Sequence, residues 1–390
     1  MREDWEYKTF GEIGTFLRGK NIQKADFVSG GLPCIHYGQI HTKFDISIDY
    51  HLSEIPQKVY DKAIIASPDD VIIAITSEDI DGSCKSVVWL GNYDIAVSAH
   101  AAILKHNMNG KFIAYYLRSN TFFTQKLKYA RGFKVMEIKT KDLAKLVLPI
   151  PPKPTQLSIV SELDKLNELI QIKKEQLKDY DALAQSIFYE MFGDPVENEK
   201  GWEVKKLGEI GTLERGAGIS KKDFVDDGLP CIHYGQLHTT FGAYTRKNIT
   251  FIPKDLLPKY KIAHSGDLIL AITSEDVEGS CKSTAWLGGY DVVVGSDAAI
   301  FHHNQNGIYL SYYTRTKAFY NEKAKYAKGF KVTHISTKEI ASISICVPPL
   351  SIQNIFANKI EQIEKQKAII QKIIMDLETL LASRMQYWFD

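Results

Sequence analysis

The chain has 390 residues, 44% hydrophobic and 11% aromatic, enough for two or more cores and too apolar for a disordered polymer. A net charge of +1, from 48 Lys and Arg against 47 Asp and Glu, excludes a polycationic field over the whole chain, so any nucleic-acid surface must be local. The opening MREDWEYKTF lacks an apolar signal region and no window approaches about eighteen uncharged apolar residues, so the expectation is a cytoplasmic chain with no membrane span.

From Trp5 and Trp202 onward the sequence runs in two copies, and the interval of 197 residues holds without a gap to Phe192 and Phe389. Each copy opens on GEIGTFLRG (11–19) or GEIGTLERG (208–216). Next comes LPCIHYGQIHT (32–42), repeated as LPCIHYGQLHT (229–239) with ten of eleven residues unchanged. The apolar runs DVIIAITSED (70–79) and DLILAITSED (267–276) sit between turn signals and read as buried strands. A helical pattern follows over 112–130 and 309–327, which makes each globular part an α/β domain. The five cysteines include no CxxC, and four fall at matched positions. Cys34, His36 and Cys84 have metal-ligating chemistry, but small thiols beside apolar runs point to burial and no metal site.

The proline clusters LPIPPKPT (148–155) and CVPPLS (346–351) forbid helix, and Thr155 or Ser351 can cap one just beyond. Apolar residues then recur at alternating spacings of four and three, a heptad seam. In the first copy it runs through Ile159, Leu163, Leu166, Ile170, Leu177 and Tyr180, with Lys173 as a charged break. In the second it runs through Phe356, Ile360, Ile363, Ile370, Ile374 and Leu377, broken at Lys367. Gly193 and Pro195 end the first helix, whose span from Thr155 to Phe192 would measure about 57 Å. The expected organisation is a first domain over 1–153, a spacer helix over 154–193, a second domain over 194–350 and a second helix over 351–390.

The copies diverge unevenly: from Leu163 to Phe192 only five of thirty residues match. A coiled seam needs apolar volume alone, whereas repeated polar residues imply a repeated polar task. Three polar stretches recur almost verbatim, HYGQIH (36–41), AITSEDIDGSCKS (74–86) and YARGFKV (129–135), and glycine beside each suggests a loop. Gln can present donor and acceptor to an adenine edge, Ser bonds base or phosphate, and Lys or Arg meets guanine or phosphate. The candidate DNA-binding set is therefore Arg18, Lys20, Tyr37, Gln39, His41, Ser77, Glu78, Lys85 and Lys134, with Arg215, Tyr234, Gln236, His238, Ser274, Glu275, Lys282 and Lys331 in the second copy. Residues 111–145 carry nine Lys or Arg against two acids, and 308–342 seven against two, stripes able to track phosphates. No GxGxxG, NPPY or DPPY, GxxxxGK[ST] or HExxH is present, and Pro68-Asp69 ahead of Glu78 matches a nuclease motif only loosely.

Two polar domains, each followed by a proline cluster and a long heptad helix with Gln156 or Gln353 near its start, make the chain resemble specificity subunits of type I restriction-modification systems. The GEIGT segments, the GFKV turn and LVLPIPPKPTQLSIVSELDKL carry the likeness, which covers nearly the whole length. The resemblance implies two target-recognition domains held apart by an antiparallel coiled coil, each reading half of a bipartite DNA site. It implies two methyltransferase subunits that bind S-adenosylmethionine, and restriction subunits that use ATP and Mg. It implies no catalysis and no cofactor on this chain. Recognition domains in the family are usually unlike each other; here they are nearly the same, which predicts matching half-sites in an interrupted palindrome. A stand-alone DNA-binding protein would share the stripes but not need so long a seam. The missing motifs disfavour a nuclease or methyltransferase, and a structural adaptor would leave the repeated HYGQ and TSED segments unexplained.

Overall fold

A computed structural model describes residues 5–132, 135–254, 260–327 and 332–390. The chain divides into two units, Met1–Lys174 with Lys372–Asp390, and Glu175–Gln371. The long helices, Lys153–Phe192 and Leu350–Phe389, each contribute one half to either unit. No described helix is long and apolar enough to cross a membrane.

In the first unit a five-stranded sheet is ordered Gly14–Arg18, Ala101–His106, Val71–Ala74, Ser86–Trp89, Ser47–Ile48. The Ala101–His106 strand pairs antiparallel with both neighbours. A four-stranded sheet holds Ser53–Ile55, Leu32–Ile35, Ile95–Val97 and Ile64–Ala66, with Leu32–Ile35 parallel to Ile95–Val97. The Val71–Ala74 strand is buried along its length, as a β-branched run between turn signals should be. The second unit repeats these sheets in the same order. The expected helix over 112–130 is instead two, Gly110–Tyr116 and Asn120–Lys126. The break falls at Ser119, whose Oγ accepts from Phe122 N at 3.1 Å and starts a new helix.

Both long helices begin earlier than Thr155 and Ser351. Pro152 O accepts from Thr155 N at 2.8 Å and Gln156 N at 3.1 Å, and Pro349 O from Ile352 N and Gln353 N. Proline is tolerated in a first turn because its missing N–H has no partner there. The buried glutamines close the entry: Gln156 Nε2 donates to Pro151 O at 2.9 Å, and Gln353 Nε2 to Pro348 O at 2.8 Å. At the far end of the first helix Gly193 adopts φ +74°, the left-handed stop its position predicts.

Within each unit the helix halves run antiparallel. In the first, Glu162 pairs with Arg384 and Lys174 with Glu378; in the second, Asp181 meets Lys367 at 2.7 Å and Phe188 packs on Phe356. Ile159, Leu163, Leu166 and Ile170 are buried, as are Ile360, Ile363, Ile370 and Ile374, whereas Leu177, Tyr180 and Leu377 are only half-buried. Near the helix ends the seam joins a domain core: Ile159, Val160 and Leu163 share one with Tyr115 and Tyr116, and Phe188 and Phe192 share one with Tyr309 and Tyr313. Continued past Tyr180, the alternating spacing reaches Ala184, Ile187 and Met191, but beyond Ala184 the buried places belong to Phe188 and Phe192.

His303 lies at the edge of the second core, and burial pushes its pKa from 6.5 to about 4. The unfolded chain therefore binds this proton first, so the stability contribution is complete above pH 6.5 and disappears as pH falls towards 4. His303→Gln should flatten the pH dependence of unfolding in that window by about 1–3 kcal/mol relative to the parent chain, measured by denaturant melts at stepped pH.

Candidate DNA interface

The HYGQIH stretch is not a loop but a short helix, Tyr37–Thr42. Its start is closed by its own polar residues. His36 Nδ1 accepts from Gly38 N at 3.2 Å, Gln39 Oε1 accepts from His36 N at 2.9 Å, and Thr42 Oγ1 donates to Gly38 O at 2.8 Å. Burial lowers the His36 pKa, keeping the imidazole in the neutral form that can accept. Ile40 anchors the helix in the core. The second copy repeats the arrangement at Tyr234–Thr239, with His233 capping and Gln236 Oε1 accepting from His233 N at 2.9 Å.

This geometry gives the glutamines a structural role beside the one expected of them. Gln39 Nε2 also donates to Ser53 Oγ at 2.7 Å, and Gln236 Nε2 to Thr250 Oγ1 at 3.0 Å. Each amide thus makes one hydrogen bond inside the protein through its oxygen and one through its nitrogen. They position the helix that carries Tyr37 and His41.

The TSED segment is braced from beneath. Asp79 Oδ1 accepts from Gly82 N at 2.6 Å, and Ser83 Oγ donates to Ile80 O at 2.7 Å. A Cβ at position 82 would come within 2.4 Å of Ser77 Oγ, so a larger residue there would displace that hydroxyl. Lys126, 4% exposed, donates to Asp81 O at 3.2 Å and Ser83 O at 2.6 Å. Burial lowers its pKa and raises that of neighbouring Cys84 to about 12, leaving the thiol uncharged. Lys323, Cys281 and Asp276 reproduce these roles in the second copy. Sequence reasoning passed over Lys126 and Lys323; the available signal was one lysine kept at the same place amid Phe122 and Phe319.

Lys85 Nζ donates to His41 O at 2.8 Å, and His41 Nε2 lies 3.0 Å from Thr76 O, tying the helix to the loop. Lys282 and His238 make the matching bonds at 2.7 and 3.2 Å. In the second unit Tyr234, His238, Ser274, Glu275 and Lys282 thereby line one open cleft of about 1180 Å³, with Arg315 on its wall. Glu78 and Glu275 are exposed. Arg18 sits at the end of strand Gly14–Arg18 and pairs with Glu137 at 3.2 Å, while Arg215 approaches Asp297 at 3.8 Å. Lys20 lies apart from this group, lining a separate hollow of about 510 Å³ with Lys58 and Lys62. Lys134 and Lys331 fall outside the described residues.

The basic stripe of the first copy is narrower than its count of nine. Lys126 is buried and Lys111 is held by Asp164 at 2.8 Å, whereas Lys128, Arg131, Lys139 and Lys141 are exposed.

The sequence profile described as the type I restriction modification DNA specificity domain matches residues 2–179 and 199–379, and the chain belongs to that family. It is 22% identical over 416 residues to the specificity subunit of the type I restriction enzyme MjaVIII from Methanocaldococcus jannaschii, covering 97% of this chain and 92% of that protein. It is also 22% identical over 185 residues to the EcoKI specificity subunit of Escherichia coli K12, covering 45% of this chain and 39% of that one. Among solved structures, the S subunit of a type I system from M. genitalium superposes with a TM-score of 0.56 at 13% identity, over 99% of this chain and 96% of that one. A chain from a study of complex assembly and conformational transition in a type I system gives 0.58 at 17% identity, over 99% and 97%. These structures share its fold.

Lys126→Met would leave the Asp81 and Ser83 carbonyls without their buried donor, at about 1–3 kcal/mol per unpaired group. Hydrogen exchange over residues 76–85 should accelerate accordingly. Lys128→Met, at an exposed neighbour, should leave exchange there within about 0.5 kcal/mol of the parent.

Proposed function

We propose that the chain is the DNA-reading subunit of a type I restriction-modification complex, recognising a bipartite, interrupted-palindromic site and bringing adenine methyltransferase and restriction subunits to it. The supporting observation is the braced pair of short helix and TSED loop, repeated bond for bond at Tyr37–Thr42 and Tyr234–Thr239. Each pair carries Tyr, His, Ser, Glu and Lys on a backbone braced by the bonds described above. Tyr37, His41, Ser77, Glu78 and Lys85, with their copies Tyr234, His238, Ser274, Glu275 and Lys282, are the residues we assign to base and phosphate contact. The exposed Lys128, Arg131, Lys139 and Lys141 are placed to neutralise phosphates. S-adenosylmethionine, ATP and Mg belong on the partner subunits, and the complex acts in the cytoplasm.

Near-identical readers that meet opposite strands of one duplex must see the same bases in opposite directions. Mapping methylated adenines in cells carrying the complete system should therefore return two inverted half-sites that match at all or nearly all positions, separated by a run without preference. Two unrelated half-sites would refute this reading.

The 40-residue helices act on this reading as spacers. Adding one turn to both, near Leu177 and at the matching Ile374, should lengthen the unread gap and leave each half-site unchanged. Altered half-sites, as read by selection from a randomised DNA pool, would overturn the spacer role.

A further inference from the structure

A histidine and a carboxylate exchange places between the two copies. At the turn before strand Ala101–His106 the first unit has His100, and on strand Met136–Glu137 it has Glu137. The positions 197 residues on hold Asp297 and His334. Both places meet the TSED loop through matching backbone bonds, although of the two turn residues His100 alone has a positive φ, +69°. His100 O accepts from Ile75 N at 2.9 Å and Asp297 O from Ile272 N at 3.0 Å, while Glu137 sits opposite Thr76 and His334 opposite Thr273 in matching ladders.

The arginine shared by the copies follows the acid. Arg18 Nη2 reaches Glu137 Oε1 at 3.2 Å; Arg215 Nη2 instead approaches Asp297 Oδ1 at 3.8 Å while its Nε donates to Ser296 O at 2.8 Å. His100 is then exposed, its ring 5.1 Å from that of Tyr37. His334 lies within the second cluster, its Nδ1 3.3 Å from Thr273 Oγ1, which in turn is 3.4 Å from Asp297 Oδ1.

Ion pairs this open contribute little to stability: the arginine side chains are 54% and 56% exposed and the acids 34% and 41%. Folding does not require the exchange, and the surrounding Tyr, His, Ser and Glu are the same in both copies. What the exchange alters is the polar edge shown to a ligand. At the turn the first unit offers an imidazole, able to donate to guanine N7 or O6, and the second a carboxylate, which can only accept, as from the cytosine amine. Resting on the DNA-reading function proposed above, we propose that Arg18–His100–Glu137 and Arg215–Asp297–His334 are specificity-determining clusters that make the half-sites differ at one base pair.

The test uses the full chain with its partner methyltransferase, reading methylated sites by single-molecule sequencing. The parent should give half-sites alike except at one position. The double substitution His100→Asp with Glu137→His should convert that position to the base pair of the other half, a preference change of about tenfold or more, and so produce a perfect interrupted palindrome. The converse, Asp297→His with His334→Glu, should produce the other palindrome, and it carries the test if the first variant folds poorly. Parent half-sites identical throughout, or a site unchanged in the folded variants, would overturn this inference and leave the paired-reader function standing. Unrelated half-sites in the parent would remove that function and this inference with it.

Discussion

A protein surface can offer hydrogen-bonding groups to a ligand only where its own backbone no longer needs them, and this constraint organises both candidate surfaces. A loop such as TSEDIDGSCK carries many N–H and C=O groups close to an apolar core, where an unpaired one is costly. The solution is a buried ammonium: Lys126 and Lys323 each take two loop carbonyls from beneath, and Asp79 and Asp276 take a glycine N–H from the side. Burying a lysine is unfavourable, as its lowered pKa records, but the carbonyl dipoles and nearby acids compensate. The result is a supported loop on which Glu78 or Glu275 stands exposed and Ser77 or Ser274 half-buried.

The same logic accounts for Gln39 and Gln236. Their amides hold the N-terminus of a six-residue helix too short to be stable by itself, and His36 and His233 complete the cap. Near-identity of this segment between the copies therefore has two sources. Tyr234 and His238 line the cleft of the second unit and Tyr37 and His41 hold the matching places in the first, whereas Gln39, His36 and Gly38 hold that helix start in place.

The long helices show the opposite pattern of constraint. Their seam tolerates exchange of Leu for Ile and of Tyr for Leu because it needs volume without fixed chemistry. The demand tightens only where the helices join a domain core, at Ile159, Leu163, Phe188 and Phe356, each at most 2% exposed. Leu177 and Tyr180, at the middle of the first helix, are half-buried. One rod thus combines anchored ends with a permissive centre.

The sequence by itself determined the duplication, the α/β character of each copy, the two long helices and the family, because period, proline clusters and a recurrent interval are properties of chain order. It also marked Tyr37, His41, Ser77, Glu78 and Lys85 in one candidate set with Arg18, Lys20, Gln39 and Lys134. Only the tertiary structure showed which of the marked residues also bond within the protein. Gln39 and Ser53 are fourteen residues apart, Lys126 and Ser83 forty-three, and nothing in either spacing announces a hydrogen bond. The divergent partners of Arg18 and Arg215 were hidden for the same reason: a side chain's partner is chosen by the strands and turns that converge on it, and that convergence exists only once the sheet has formed.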